Sequence, residues 1–240
     1  MNNEFNSRGD PIDAVGFHEG LAGQWAASYG KGGFLRRLGI FRSLLDDVCR
    51  GAGLWLDLGC GAGVLTKEML SRGVRVIALD GSQGMLDSAK MSCSQFLTGV
   101  EWRIGDARDL GFIPDGSVDG VVCSSVVEYL DAPGPLFREV SRVLGPGSDF
   151  IVSIPPKWSV VRMFQKVVRR VFGWVGIRIY GYLSFSVLEI SRSDVERLMG
   201  LHGFQVVSVR KFDPLLPGWL LAVVNPALNV FHAKKMNVGG

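Results

Sequence analysis

The 240-residue sequence lacks several features that would assign it to a common class of protein. It contains no internal repeat and no low-complexity tract, so a repeat architecture is not expected. Its first ten residues, MNNEFNSRGD, hold neither a basic stretch nor an apolar run, and no secretory signal is predicted. The four cysteines (Cys49, Cys60, Cys93 and Cys123) show neither metal-site nor disulfide-scaffold spacing. We therefore expect reduced thiols in a cytoplasmic protein.

The chain as a whole also lacks a strong excess of positive or negative charge. The 26 Lys and Arg residues against 23 Asp and Glu leave a net charge of +3, so no nucleic-acid partner is expected. Hydrophobic residues make up 47% of the chain, which suits one sizeable core. No cluster of metal-ligating residues stands out, and the expected chemistry is metal-independent.

Acidic residues are absent between Asp149 and Glu189. Within this interval, residues 157–172 place apolar side chains on one half of a helical wheel and cations on the other. One interpretation is that residues 157–180 dock on an anionic membrane surface, to which such a helix is suited. The other is a helix that covers the active site, with its apolar face on the core and its basic face in water. The cations of the segment 157–183 are Lys157, Arg162, Lys166, Arg169, Arg170 and Arg178.

Charged residues are also absent from residues 214–233. Twenty uncharged residues would be long enough to span a bilayer, but Pro214, Pro217 and Pro226 argue against one continuous helix. We expect a loop, a short helix and a final antiparallel strand at 229–234.

A glycine-rich turn follows the first predicted strand. Residues 54–58 form a short apolar strand, glycines 59, 61 and 63 follow, and a helix begins near Val64. Such a turn aims backbone N–H groups and a positive helix N-terminus at one point. The spacing is G-x-G-x-G, unlike the G-x-G-x-x-G of a dinucleotide site. Asp57 would repel a pyrophosphate and suits a ligand with a cationic end, so a nicotinamide oxidoreductase is a weaker alternative.

This stretch resembles the first motif of class I S-adenosylmethionine-dependent methyltransferases. In that family the turn cradles the methionine end of the cofactor. Asp80 ends the next strand, 21 positions after Gly59, where a carboxylate can accept both ribose hydroxyls. Asp106 follows the third strand and resembles the acceptor of the adenine amine, with Asp109 as a nearby competitor. The positions that the resemblance implies for cofactor binding are Asp57, Gly59, Cys60, Gly61, Gly63, Asp80, Gly81, Met85, Asp106, Ala107, Ser124 and Tyr29.

The segment after the fourth strand, residues 125–130, resembles the family motif that faces both cofactor and acceptor. Relatives in quinone biosynthesis often carry Glu-His at the place where this chain has Glu128-Tyr129. The difference removes an imidazole that could act as a general base. The remaining candidates for a base are Glu128 and His18, the latter from the N-terminal segment.

The residues before the first strand carry helical patterning over 17–49, interrupted at 30–33. Residues 1–49 are therefore predicted to form a helical cap, with His18, Trp25 and Tyr29 as candidates for contacts to cofactor and acceptor. The alternative is that these aromatic residues only pack the cap on the core.

The expected fold is a doubly wound α/β domain over 50–240, with a mostly parallel sheet of seven strands and an insertion after the fifth. The last strand but one, 204–212, is expected to alternate, with Val206, Ser208 and Arg210 facing away from Val207 and Val209. The expected function is methyl transfer from S-adenosyl-L-methionine to a small, apolar or lipid-like acceptor, with O-methylation favoured. A methyltransferase-like accessory protein that binds cofactor without catalysis is the main alternative.

Overall fold

The computed structural model describes residues 14–20, 32–49, 51–96, 98–174, 185–214, 216, 219–222 and 224–237. Its centre is one sheet of seven strands, as predicted. The strands are β1 (Leu54–Leu58), β2 (Arg75–Asp80), β3 (Val100–Ile104), β4 (Val118–Cys123), β5 (Leu144–Ile154), β6 (Phe204–Phe212) and β7 (Leu228–Lys235).

The order of the strands in the sheet is β3-β2-β1-β4-β5-β7-β6. Strands β1 to β5 are parallel, and β7 runs antiparallel to both of its neighbours. The carboxyl ends of the five parallel strands therefore share one edge. The order of the strands reverses between β1 and β4, and a ligand crevice opens at such a point in doubly wound sheets.

Seven helices are described. They are α1 (Ala14–Glu19), α2 (Gly32–Val48), α3 (Val64–Leu70), α4 (Gln83–Ser92), α5 (Gly134–Val143), α6 (Val160–Trp174) and α7 (Arg192–Leu201). Two short 3-10 helices lie at Val127–Tyr129 and Leu220–Ala222. Ser82 caps α4 by accepting a hydrogen bond from the Met85 N–H, and Ser191 caps α7 in the same way.

Helices cover both faces of the sheet. On one face α2, α3 and α4 form a core with side chains such as Trp55. On the other face α5 and α7 pack against Leu56 and Leu58. Strand β1 is therefore covered on both sides, as expected of a central parallel strand. Helix α2 shares a core with the sheet and is therefore packed as a layer of the domain. The predicted boundary at residue 49, between a helical cap and the α/β domain, stays a prediction.

Strand β6 departs from the predicted alternation. Its pairing with β7 shifts between Val206 and Ser208, which leaves Val207 as the extra residue of a β-bulge. As a result Val206 and Val209 both pack against the core, while Val207 is exposed. The prediction that these two valines face opposite sides was wrong, because an inserted residue resets the period of two.

Helix α6 has the reverse of the usual orientation. Its apolar stripe, defined here as Val160, Met163, Phe164, Val167 and Val171, is exposed, each side chain by more than half. Its opposite side faces the protein, where Arg162 is buried. The interpretation that placed the apolar face of this helix on the core was wrong, although Lys166 and Arg170 are exposed as it expected.

The four cysteines are free thiols, all buried. The C-terminal part holds the expected short helix and final strand. In the part of the chain that the structure describes, no helix combines the length and apolar character needed to cross a bilayer.

Candidate functional site

The glycine-rich turn lies at the carboxyl end of β1, directly beside β2. The backbone N–H groups of Gly59 and Cys60 both donate to the Leu79 carbonyl, at 2.8 and 3.0 Å. Gly59 has a φ of 73°, and a Cβ built there would lie 2.1 Å from a methyl carbon of Val126. Gly63 has a φ of 76°, and its Cβ would lie 2.9 Å from the Cβ of Ala89. Glycine is thus required by backbone conformation and by close packing of the turn.

Asp80 connects this turn to the end of β2. One carboxylate oxygen accepts from the Gly61 N–H at 2.8 Å, and the other accepts from the Ser82 N–H at 2.9 Å. Burial raises the pKa of Asp80, and the two backbone donors oppose that rise. Each oxygen retains capacity for a further hydrogen bond, since a carboxylate offers about four lone-pair sites. The structure therefore places two of the predicted residues, Gly61 and Asp80, in direct contact.

Asp57 lies beneath the turn, on the face of β1 toward α3. It is buried, and one of its oxygens accepts from the Thr66 hydroxyl at 2.6 Å. Burial raises the pKa of Asp57 to about 7, although the Thr66 hydrogen bond acts in the opposite direction. This geometry ties the end of β1 to the first turn of α3. A direct contact of Asp57 with a cationic ligand stays a prediction.

Helix α1 lies over the end of β2 and the start of α4. The Glu19 carboxylate accepts from the Gly84 N–H at 3.0 Å and from the Ser82 hydroxyl. Its charge is favourable there, next to the positive N-terminus of α4. A Cβ built on Gly81 would lie 3.1 Å from a methyl carbon of Val15. The sequence alone does not mark Glu19 as part of the site, because its acceptor role depends on a helix 65 residues away.

His18 belongs to the same short helix and faces the site. Its Nδ1 lies 2.7 Å from the Ala14 carbonyl oxygen, and its ring is 5.2 Å from the ring of Tyr129. A positive charge on His18 would lower the pKa of Asp80. The structure thus brings the predicted His18 next to both the β2 and the β4 ends. The other predicted cap residues, Trp25 and Tyr29, lie outside the described residues.

The residues predicted around adenine have mixed environments. Met85 and Ala107 are buried. Asp106 is half-exposed and receives hydrogen bonds from Arg108, from the backbone N–H at 2.8 Å and from Nε–H at 2.9 Å. The Arg108 side chain lowers the pKa of Asp106. Asp109, the alternative acceptor of the adenine amine, accepts a hydrogen bond from the Gly111 N–H at 3.2 Å.

The end of β4 meets a buried arginine from α2. The Arg37 guanidinium donates to the hydroxyls of Ser124 and Ser125, the second at 2.9 Å. Ser125 has a φ of 57°, a backbone conformation that residues other than glycine rarely adopt. Its N–H donates to the Ser153 hydroxyl at 2.8 Å. Strain of this kind is concentrated at functional sites. The sequence alone does not mark Arg37 as part of the site, because it has the pattern of an ordinary polar residue of an amphipathic helix.

Glu128 is the centre of a buried polar network after β4. Its carboxylate accepts from the Ser186 hydroxyl at 2.9 Å and pairs with Arg162 at 3.1 Å. Arg162 also pairs with Glu189, at 3.2 Å. The Glu128 carbonyl accepts from the N–H groups of Val187 and Leu188. This carboxylate is therefore committed to holding the returning chain of the insertion against β4, and its role as a base stays a prediction.

Among the described residues, no group of three or more His, Cys, Asp and Glu side chains could hold a metal ion. The site instead consists of a glycine turn, a carboxylate at the end of β2 and polar groups at the end of β4, all at the carboxyl edge of the sheet. This arrangement, on a 3-2-1-4-5-7-6 sheet, defines the nucleoside-cofactor site of a methyltransferase fold.

Comparison with known proteins agrees with this class. Residues 56–152 match the family described as "Methyltransferase domain". A biotin biosynthesis bifunctional protein from Cellvibrio japonicus is 40% identical over 98 residues, 41% of this chain and 19% of that protein. A ubiquinone biosynthesis O-methyltransferase from Xanthomonas oryzae is 31% identical over 98 residues, 41% of each chain. This chain thus matches less than half the length of either relative.

The solved structures give the same fold over nearly the whole chain. Magnesium protoporphyrin IX methyltransferase from Synechocystis, with bound SAH, has a TM-score of 0.64 at 18% identity and covers 97% of this chain and 96% of its own. Residues 56–152 are a methyltransferase domain, and the chain has the fold of the class I S-adenosylmethionine-dependent methyltransferases.

S-adenosylmethionine is the cofactor of this class, and the residues of the site fit it. Asp80 is half-buried, is already oriented by two backbone donors and has acceptor capacity left for a ribose diol. The turn beside it has no side chain at Gly59, Gly61 or Gly63 to block the approach of a ligand to the backbone.

Proposed function

We propose that the protein transfers a methyl group from S-adenosylmethionine to a small apolar or lipid-like acceptor, most readily to a hydroxyl oxygen. The observation that supports cofactor binding is the hydrogen bond between Asp80 and Gly61. It places a carboxylate and the glycine turn where both can contact the same ligand. The relatives named for ubiquinone and biotin biosynthesis support a small-molecule acceptor. The family match disfavours the nicotinamide oxidoreductase alternative.

When bound, S-adenosylmethionine supplies an electrophilic methyl group on a sulfonium. The protein then has to align an acceptor atom with that methyl and exclude water. Helix α1 contributes to both, because Glu19 fixes it over the start of α4 and Val15 covers Gly81. A hydroxyl acceptor also has to lose a proton.

For that proton we favour His18 over Glu128. The Ala14 carbonyl next to Nδ1 favours the neutral tautomer that carries its proton on Nδ1. The basic nitrogen is then Nε2. Glu128, by contrast, is buried and paired with Arg162. An ion-paired carboxylate is a weaker base than an unpaired one.

Cofactor binding can be tested at Asp80. Changing Asp80→Asn retains the size of the side chain but removes the charge that a ribose diol would contact. We expect the affinity for S-adenosylhomocysteine to fall by about 1.5–3 kcal/mol in calorimetry, while the fold is retained. Asp87→Asn, an exposed carboxylate on α4, is the matched control and should bind like the wild type. Wild-type affinity in Asp80→Asn would remove this assignment.

Acceptor chemistry can be tested by mass spectrometry with a panel of apolar alcohols, phenols, acids and amines. O-methylation predicts methyl ethers or esters as products, and His18→Gln should lower the rate by roughly 100-fold or more without weakening cofactor binding. Binding of cofactor with no methyl transfer to any of these acceptors would favour the accessory-protein alternative.

We further propose that the apolar stripe of α6 docks on an anionic membrane surface, from which a lipid-like acceptor could enter. Trp158, just before the helix, is a further large apolar residue with high exposure, at 75%. Lys166 and Arg170 are exposed beside it, and no acidic residue lies between Asp149 and Glu189. An exposed apolar stripe flanked by cations is complementary to an anionic lipid surface.

Vesicle co-sedimentation tests this surface. Lys166→Gln with Arg170→Gln should weaken binding to anionic vesicles at low salt, at about 1 kcal/mol per cation. Phe164→Ser with Val167→Ser should weaken binding at both low and high salt, because inserted apolar groups are not screened. Arg192→Gln with Arg197→Gln on α7 removes the same charge elsewhere and serves as control.

Equal sedimentation of all variants would contradict membrane docking. A different result would be that the protein binds no vesicles but forms a concentration-dependent dimer, and that Phe164→Ser with Val167→Ser abolishes this dimer. The stripe would then be an interface with a second copy of the chain.

A further inference from the structure

Trp158 lies in the turn between β5 and α6 and has an unusual backbone conformation. Its φ is 61°, in the left-handed region that glycine adopts freely and that a bulky residue rarely adopts. The turn is held on both sides of this residue. The Lys157 N–H donates to the Ile190 carbonyl at 3.3 Å, and the buried Ser159 hydroxyl accepts from the Arg162 N–H at 3.3 Å. These contacts hold position 158 in the left-handed conformation.

The side chain of Trp158 adds a second cost to that of the backbone. It is 75% exposed, so most of a large apolar surface faces solvent. Glycine at this position would relieve the backbone and would also remove the exposed ring. Strain is concentrated at functional sites, where a sequence breaks local rules because function requires it. The indole of Trp158 therefore indicates a contact outside the chain.

A second exposed tryptophan belongs to a segment that contacts the same turn. The side-chain amide of Asn225 donates to the Lys157 carbonyl at 3.1 Å. Trp219 lies six residues before Asn225 and is 74% exposed. The structure thus joins two distant parts of the chain next to the start of α6, and each part carries an exposed indole.

The charges around this turn indicate which kind of surface it fits. No acidic residue lies between Asp149 and Glu189, and residues 214–233 carry no charge. Lys157 is half-exposed, and its described ion pair with Asp194 is long, at 4.0 Å. Indole rings favour the boundary between lipid headgroups and acyl chains, and cations favour anionic headgroups. The combination is complementary to an anionic bilayer.

We propose that Trp158 anchors the protein in the headgroup region of an anionic bilayer, with Trp219 as a second anchor. The inference rests on the membrane docking proposed above, and it extends the docking surface from the apolar stripe of α6 to two residues outside that helix. An inserted indole is not screened by salt. The two anchors therefore add a component of binding that persists at high ionic strength.

Trp158→Gly is the sharpest test, because its two expected consequences have opposite signs. Relief of the positive φ should leave the melting temperature unchanged or higher. Loss of the ring should lower the partition coefficient onto vesicles of phosphatidylglycerol and phosphatidylcholine by about tenfold, at low and at high salt. Trp158→Phe retains an aromatic ring and should lose less.

Three further variants separate the contributions to vesicle binding. Trp219→Ser should weaken it at both salt concentrations, as Trp158→Gly does. Lys157→Gln should weaken it at low salt only, because its contribution is electrostatic. Met91→Ser changes an exposed apolar side chain on α4 and is the matched control, which should bind like the wild type.

Fluorescence measures insertion directly. Vesicles with brominated acyl chains should quench part of the tryptophan emission of the wild type, and Trp158→Gly should reduce that quenching. Wild-type partitioning of Trp158→Gly would overturn the proposal. A lower melting temperature of this variant would also overturn it, because the ring would then stabilise the fold itself.

The variants of the α6 stripe distinguish this proposal from the one on which it rests. If Phe164→Ser with Val167→Ser loses vesicle binding and Trp158→Gly does not, docking by the stripe stands and the anchor is wrong. The reverse result would support the anchor and contradict docking by the stripe. A dimer that Trp158→Gly abolishes, without vesicle binding by the wild type, would overturn the proposal in favour of a second copy of the chain.

Discussion

Helices α5 and α6 have the same kind of amphipathic pattern and opposite orientations. In α5 the apolar residues Leu136, Phe137, Val140 and Val143 are buried completely. In α6 the apolar stripe is the exposed side, and Arg162 on the opposite side is buried. The pattern in the sequence therefore defines two faces of a helix but does not decide which one is covered.

The charges on the polar faces explain the difference. The polar face of α5 carries both signs, and Glu139 pairs with Arg142 on the helix itself, at 2.8 Å. The charged residues of α6, in contrast, are all cations. Their partners Glu128 and Glu189 come from other parts of the chain, and the fold brings them to the inner side of the helix. A helix side with charges of one sign can thus face the protein when the fold supplies carboxylates to pair with them, and its apolar side is then exposed.

The largest predicted effect compares equivalent aromatic residues of the two helices. Phe137→Ala should lower the free energy of unfolding by about 3–5 kcal/mol, because it leaves a cavity beside Phe150. Phe164→Ala should change it by no more than about 0.5 kcal/mol, because that side chain is 58% exposed. Urea denaturation of the two variants measures both values. A similar loss in both would mean that the α6 stripe is covered in solution.

A somewhat smaller effect is expected from the buried ion pair of α6. Arg162→Met leaves Glu128 buried without a cation and should cost about 3 kcal/mol in urea denaturation. Adding Glu128→Gln removes the unpaired charge, so the double variant should regain part of this loss. Arg197→Met, at an exposed pair on α7, should change stability by less than about 1 kcal/mol. An additive double variant would show that the pair is not coupled.

The smallest predicted effect concerns Asp57. Among the described residues this buried carboxyl has a hydroxyl as its side-chain partner, whereas Glu128 has a cation. Because burial raises the pKa of Asp57 to about 7, the folded protein holds its proton more tightly than the unfolded chain. Its contribution to stability is therefore complete below about pH 4 and is lost as pH rises through about 7. Asp57→Asn resembles the protonated form and should remove this loss.

The measurement is the free energy of unfolding of wild type and Asp57→Asn at pH 5 and pH 8. The stability of the variant relative to wild type should rise by roughly 2–3 kcal/mol between these values. Asp87→Asn, an exposed carboxylate, controls for the general effect of removing a negative charge and should show no such rise. A pH-independent difference between Asp57→Asn and the wild type would contradict the raised pKa.

The sequence by itself determined the parts of this protein that depend on neighbours in the chain. The glycine turn, the strands that flank it, the capping serines Ser82 and Ser191, and the place of Asp80 at the end of β2 all follow from short-range patterns. Such patterns are reliable because backbone conformation and strand ends are set locally. The resemblance of these motifs to methyltransferases was confirmed by the family match and the fold.

The tertiary structure alone decided the contacts between residues that are distant in the chain. Arg37 meets Ser124 across 87 positions, Arg162 meets Glu128 across 34, and Glu19 meets Gly84 across 65. The inserted residue in β6 and the inward turn of the basic face of α6 depend on the same kind of partner. A buried charge adopts whichever orientation reaches an opposite charge or a hydrogen-bond partner, and the position of that partner is fixed only when the sheet has assembled.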